Sequence, residues 1–233
     1  MQCIKSNLEA ILGRIGLAAG RAGRDPASVR LVAVSKTHPA ASVLEAFDAG
    51  QRAFGESKVQ EAAGKIPLLP PSIEWHFIGH LQANKIRKAM PQFQMFHGVD
   101  NCGLASQMSR IAGECGRFPQ VLLEVNVSGE RTKFGFSPGA LKAEIGALLA
   151  LPDLQVSGLM TMAPYSEDPE SARPLFAALR NLRDELEQQT GAALPELSMG
   201  MSGDFEAAIS EGSTLVRVGS AIFGDRPQKP LSS

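Results

Sequence analysis

Eight short apolar runs alternate with helical patterns along this chain, and that alternation restricts the fold more than any other feature of the sequence. The runs are Val29 to Lys36, Arg52 to Glu56, Glu74 to Gly79, Met95 to Asp100, Val121 to Val127, Val156 to Met162, Glu196 to Gly200 and Leu215 to Gly219. They are mostly apolar without clean alternation, the pattern of strands covered by helices on one face and by a packed interior on the other. Helical periodicity occupies residues 40–50, 57–65, 82–91, 102–116, 138–151, 169–190 and 204–212, with Pro, Ser or Asp in cap-like positions at several starts. A further amphipathic pattern through Ile4, Leu8, Ile11, Leu12 and Ile15 spans residues 2–22 and ends before Asp25-Pro26. Eight βα units in 233 residues predict a closed (β/α)8 TIM barrel preceded by one extra helix, with an open doubly wound sheet as the alternative. No low-complexity linker interrupts the pattern, so residues 1–233 are expected to form a single domain ending in a short tail, Pro227 to Ser233.

A chain of this length can bury a sizeable core without cross-links. Its three cysteines, Cys3, Cys102 and Cys115, are odd in number and form no CxxC pair, which reads as reduced thiols and argues against structural zinc. Lys and Arg total 23 against 24 acidic residues, so no net electrostatic drive favours nucleic acid or an anionic membrane. The first residues, Met1 to Asn7, lead into Glu9, Arg14 and Arg21 with no apolar signal-peptide core, and no run reaches a membrane-spanning length. The expectation is a cytoplasmic, soluble protein.

In a barrel the ligand site lies at the C-terminal ends of the strands, with phosphates often held after strands 7 and 8. Lys36 sits at the end of the first run, where partial burial would disfavour its ammonium and make the amine a nucleophile towards a carbonyl. The seventh run closes on Ser198-Met199-Gly200-Met201-Ser202-Gly203-Asp204, whose Ser202 hydroxyl and Gly203 backbone N–H precede a helix and suit a phosphate. The eighth carries Arg217-Val218-Gly219-Ser220, with Gly219 allowing close backbone approach. Arg217, inside an apolar run, needs an acceptor: a ligand ring nitrogen, a phosphate, or an internal salt bridge. An aldehyde that also bears a phosphate and a ring nitrogen matches all three elements, and pyridoxal 5′-phosphate is such a ligand.

These residues carry a family resemblance. The chain resembles the pyridoxal-phosphate homeostasis protein family, the single-barrel relatives of the alanine racemase N-terminal domain. The matching stretches include Val32 to Lys36, Phe54-Gly55-Glu56 with Val59-Gln60-Glu61, Trp75 to Gln82 with Asn84-Lys85, and Asn126-Val127 with Lys133 to Phe136. Gly158 to Ala163, Ser198 to Ser202 with Asp204-Phe205, and Arg217-Val218-Gly219 with Ile222-Phe223-Gly224 complete them. The resemblance implies that Lys36 holds the cofactor as an internal aldimine, that Ser202, Gly219 and Ser220 hold its phosphate, and that Arg217 approaches the pyridine nitrogen or phosphate. It implies a carrier or buffer of the cofactor, delivering it to apo-enzymes. Ser57 stands where the family usually has Asn, a shorter side chain without the amide.

The expected cofactor-binding set is therefore Lys36, Ser57, His76, Ser202 and Gly203, together with Arg217, Gly219 and Ser220. No catalytic residue and no metal are assigned. His76 and His80 straddle a strand end and a loop and read as hydrogen-bonded rim histidines. Glu124 shares a strand face with Asn126 and reads as a partner for Lys or Arg in the barrel. Two enzymatic alternatives remain. A racemase-like enzyme would need an acid/base on each cofactor face, and the chain's one tyrosine, Tyr165, follows strand 6. A Schiff-base aldolase would keep Lys36 and the anion site but bind no chromophore. A barrel without the racemase's second domain is expected to be monomeric.

Overall fold

The computed structural model describes residues 3–130 and 132–224; Met1, Gln2 and the tail from Pro227 to Ser233 lie outside the described residues. Helix α1 (Ile4–Arg21) leads into strand β1 (Arg30–Val34), then α2 (Ala40–Asp48), β2 (Ala53–Glu56), α3 (Val59–Lys65), β3 (Glu74–Phe77) and α4 (Ile86–Ala89). The chain continues through β4 (Met95–Val99), α5 (Cys102–Glu114), β5 (Gln120–Glu124), α6 (Pro138–Leu149), β6 (Gln155–Met160) and α7 (Arg173–Thr190). It closes with β7 (Glu196–Ser198), α8 (Phe205–Ser210), β8 (Leu215–Val218) and the single turn α9 (Ser220–Phe223). All eight strands are parallel and form a closed barrel in sequence order, with β1 paired to β8 through Val32↔Arg217 and Ala33↔Val218. The (β/α)8 expectation holds, and the open sheet does not.

Local chemistry explains the element boundaries. Asn101 and Ser137 cap α5 and α6 by accepting the N–H groups of Leu104 and Ala140, and Gly191 ends α7 in the left-handed conformation. The strands are shorter than the apolar runs, mostly at their C-terminal ends: β1 stops at Val34 rather than Lys36, and β5 at Glu124 rather than Val127. Residues past the last ladder bond still bury themselves around the barrel mouth, so hydrophobicity outlasts strand geometry there.

Alternation along the strands creates two cores. Val32, Ala53, Met95, Leu122, Met160 and Leu215 meet inside the barrel. Their neighbours, such as Leu31, Ala33, Phe54, Phe96, Leu123 and Val216, face outwards into the larger core beneath the helices. Helix α1 adds Leu8, Ile11, Ile15, Ala18 and Ala19 to that outer core, whereas Leu12 is 46% exposed. The expected apolar stripe is thus corrected: Ala18 and Ala19 continue the buried face and Leu12 lies off it. Beside this apolar seam, Arg14 makes a two-bond ion pair with Glu206, and Asn7 donates to the Ile222 carbonyl, so α1 straps down the short helices that follow β7 and β8.

One glycine shows how tightly the barrel closes. A Cβ at Gly158 in β6 would lie 1.9 Å from the carbonyl oxygen of Glu196 in β7. Gly158→Ala is expected to lower stability by about 3 kcal/mol or more, because the backbone of a barrel strand cannot give way cheaply. Urea unfolding of the variant measures this, and a loss below about 1 kcal/mol would contradict the close approach.

Candidate functional site

Lys36 lies two residues beyond β1, in a turn where Thr37 takes a left-handed φ of 70°. A non-glycine residue in that region needs external support. Much of it comes from charges behind the turn. Glu61 accepts the Thr37 N–H, while the Lys65 ammonium donates to the Ser35 carbonyl at 3.0 Å, to Glu56 at 2.6 Å and to Glu61 at 3.1 Å. Ser35 adds a hydroxyl bond to Glu56 at 2.7 Å. Glu56 is fully buried and its Oε2 has no hydrogen-bond partner among the described residues; burial pushes its carboxyl up from the usual range, and Lys65 opposes that shift. Sequence reasoning did not assign Lys65 or Glu56 a role. The available signal was a carboxylate at the end of an apolar strand, which requires a buried cation somewhere in the fold.

The opposite wall is built from the loops after β7 and β8. Gly200 has φ 94°, and a Cβ there would come within 2.7 Å of Ala208 Cβ and 2.9 Å of Phe205 Cα, so only glycine lets this loop lie against α8. The loop is then tied by Met201 N–H to Asp204 at 2.6 Å, Arg217 N–H to the Gly200 carbonyl at 3.0 Å and Gly219 N–H to Ser202 Oγ at 3.3 Å. His38, after the Lys36 turn, stacks on Phe223 with ring centroids 5.1 Å apart, joining the β1 side to the β8 side.

Between these walls lies a cavity of about 200 Å³ lined by Lys36, Ser202, Arg217, Gly219 and Ser220, with Val34, Ile78, Met162 and Met201 supplying apolar surface. Five of the eight residues expected from sequence therefore meet around one space. Gly203 is in the same loop as Ser202 but does not line the cavity. Ser57 lines a separate hollow of about 140 Å³ with Lys58, His80, Gln82 and Lys85. Tyr165 is 93% exposed and is not part of the cavity wall.

His76 requires a correction. It is not a rim residue: it sits within β3, fully buried, with Nε2 2.8 Å from Glu74 Oε1 and Nδ1 2.9 Å from His97 Nε2. The cause is strand parity, which turns alternate residues of β3 into the barrel interior. His97 continues to Ser198 Oγ at 2.8 Å, and Ser198 accepts from Arg217. Arg217 also donates to the Thr161 carbonyl at 2.9 Å. No ion pair to Arg217 occurs among the described residues: its acceptors there are neutral, and burial lowers its pKa to about 10 against the opposing charges of Glu124 and Asp204. Glu124 likewise forms no ion pair among the described residues, and burial raises its carboxyl above the usual range.

The arrangement offers a primary amine on one wall, hydroxyls and a backbone turn on the other, and a buried cation in the lining. Removing Lys65 would leave Glu56 buried without its cation, so Lys65→Met is expected to cost about 3–5 kcal/mol. The double variant Glu56→Gln/Lys65→Met should lose clearly less in the same denaturant titration. Equal losses would show that the ion pair is not what supports the turn.

Comparison with known proteins agrees with this geometry. Residues 6–227 match the family model for the alanine racemase N-terminal domain. The chain is 45% identical over 220 residues to a pyridoxal phosphate homeostasis protein of Aquifex aeolicus, covering 94% of this chain and 96% of that one. It is 46% identical over 228 residues to the protein of the same name in Pseudomonas aeruginosa, covering 97% of each. The structure of PipY from Synechococcus elongatus with PLP bound superposes with a TM-score of 0.81 at 44% identity, covering 92% of this chain and all of that one.

Proposed function

Because the chain belongs to the pyridoxal phosphate homeostasis protein family, we propose that it binds pyridoxal 5′-phosphate at the C-terminal mouth of the barrel and serves in homeostasis of that cofactor. The observation that carries this reading is the convergence of Lys36, Ser202, Ser220 and Arg217 on one cavity. The residues fit the group. The cofactor supplies an aldehyde that condenses reversibly with a primary amine, and Lys36 supplies that amine. Ser202 and Ser220 offer hydroxyls to the phosphate beside Gly219, and the Arg217 guanidinium can donate to the ring nitrogen or to the phosphate. Ser57, His76 and Gly203, which do not line the cavity, act through the surrounding structure in this proposal.

Carrier or buffer is favoured over racemase-like turnover. Controlled proton transfer on both cofactor faces needs two positioned acid/base groups, and Tyr165 points to solvent at 93% exposure. An aldolase reading would leave the likeness to a PLP-bound protein unexplained. The proposal includes a monomeric cytoplasmic protein that passes cofactor to apo-enzymes. Among the described residues no helix is long and apolar enough to cross a membrane.

An absorption spectrum with and without added pyridoxal phosphate, then borohydride reduction and peptide mapping, tests ligand, linkage and residue together. The label is expected on Lys36 and should vanish in Lys36→Ala; comparable label on Lys58, Lys85 or Lys133 would refute the assignment. Ser202→Ala should weaken pyridoxal phosphate binding about five- to thirtyfold, roughly 1–2 kcal/mol, with little effect on unphosphorylated pyridoxal. The loaded protein should reactivate an apo pyridoxal-phosphate enzyme while exchanging no amino-acid α-deuterium beyond free cofactor. Lys36-dependent turnover would instead establish an enzyme.

A further inference from the structure

The barrel interior contains a line of hydrogen bonds with a donor-only side chain, Arg217, at one end and a carboxylate, Glu74, at the other. Arg217 has only donors, so its contact with Ser198 makes Ser198 Oγ an acceptor. The Ser198 hydroxyl keeps its one hydrogen, and donating it to His97 Nδ1 at 2.8 Å requires that nitrogen to be bare. Burial first, with the nearby Arg217 and Arg30 cations adding to it, holds His97 well below the usual imidazole range and keeps it neutral. Its remaining hydrogen is on Nε2 and points to His76 Nδ1 at 2.9 Å. His76 in turn carries its hydrogen on Nε2 and donates to Glu74 Oε1 at 2.8 Å.

With both rings neutral and their hydrogens on Nε2, every bond runs the same way, from a cation in the cavity lining to a carboxylate at the other mouth of the barrel. The line crosses the interior, since β4 and β7 are not neighbours in the sheet. Glu74 opens β3 with its side chain 37% exposed, and Arg30 at the start of β1 lies 3.8 Å from it while pairing with Glu196 at 2.5 Å. Bonds aligned between opposite charges polarise one another in a low-dielectric interior. The other charges acting on the line are Glu124 from β5 and Asp204 from the loop before α8, both on Arg217.

We propose that Glu74, His76, His97 and Ser198 are positioning residues forming a one-way relay that sets the Arg217 guanidinium in the cavity wall and makes ligand binding there sensitive to the charge on Glu74 at the opposite mouth. Two of the guanidinium's donors are committed to Ser198 and Thr161, which leaves the others to address a ligand acceptor. The ligand part of this inference rests on the proposed cofactor, whereas the direction of the relay does not.

Long-range nitrogen–proton NMR of the ligand-free, histidine-labelled protein tests that direction. The double variant His38→Gln/His80→Gln isolates His76 and His97, since the chain has 4 histidines in all. Both rings should carry their hydrogen on Nε2 and leave Nδ1 bare. A hydrogen on Nδ1 of either ring, or an imidazolium at neutral pH, would overturn the relay. Glu74→Gln keeps an acceptor for His76 but removes the charge, and should weaken pyridoxal phosphate binding about two- to tenfold. Ser198→Ala should weaken it at least as much, and Ser198→Thr should restore it. Unchanged affinity in a folded Glu74→Gln protein would refute the coupling. Failure of the unmodified protein to bind pyridoxal phosphate would count against the proposed function and against the ligand part of the relay, and the histidine tautomers would still decide its direction.

Discussion

The pairing of β1 with β8 is the contact on which the site depends. It joins the start of the chain to its end at a high loop-closure cost, and parallel ladder bonds together with outer-core burial must offset that cost. The register Val32↔Arg217 and Ala33↔Val218 brings the Lys36 turn beside Gly219. A Cβ on Gly219 would stand 3.2 Å from the Val34 carbonyl, so the two strand ends meet with little space between them. Helix α1 reinforces the same seam from outside through its contacts with Glu206 and Ile222. An amine and an anion-binding loop from opposite ends of the sequence thereby become walls of one cavity.

Two buried polar systems flank that cavity and solve the desolvation problem differently. Behind Lys36, Lys65 pairs directly with Glu56 and Glu61, so the charges compensate locally. Around Arg217, neutral acceptors intervene, and the nearest carboxylate on the hydrogen-bond line is Glu74, three polar side chains away. Direct pairing holds the backbone carbonyl of Ser35 and the N–H of Thr37 in place, which suits a turn. Bonds to the Ser198 hydroxyl and the Thr161 carbonyl fix the guanidinium's orientation without pairing its charge, which suits a surface that must meet an anion or a ring nitrogen. Neither system would be stable half-built, because an uncompensated buried charge costs far more than a hydrogen bond returns.

The sequence by itself determined the barrel, its extra helix and the rim on which chemistry gathers. Those follow from local signals: apolar runs of strand length, caps such as Asn101 and Ser137, and reactive residue types at strand ends. The same signals located Lys36, Ser202, Arg217, Gly219 and Ser220, because a barrel sends strand ends to one mouth whatever lies between them. Only the tertiary structure decided the remainder. Ser57 lines a different hollow, with Lys58, His80, Gln82 and Lys85. His76 turns into the lumen because of strand parity, and it meets His97 and, through it, Ser198 across strands that share no local pattern. Lys65 reaches Glu56 from a neighbouring helix. Partnerships across a closed interior depend on the register of several strands at once, and no single segment of the chain carries that information.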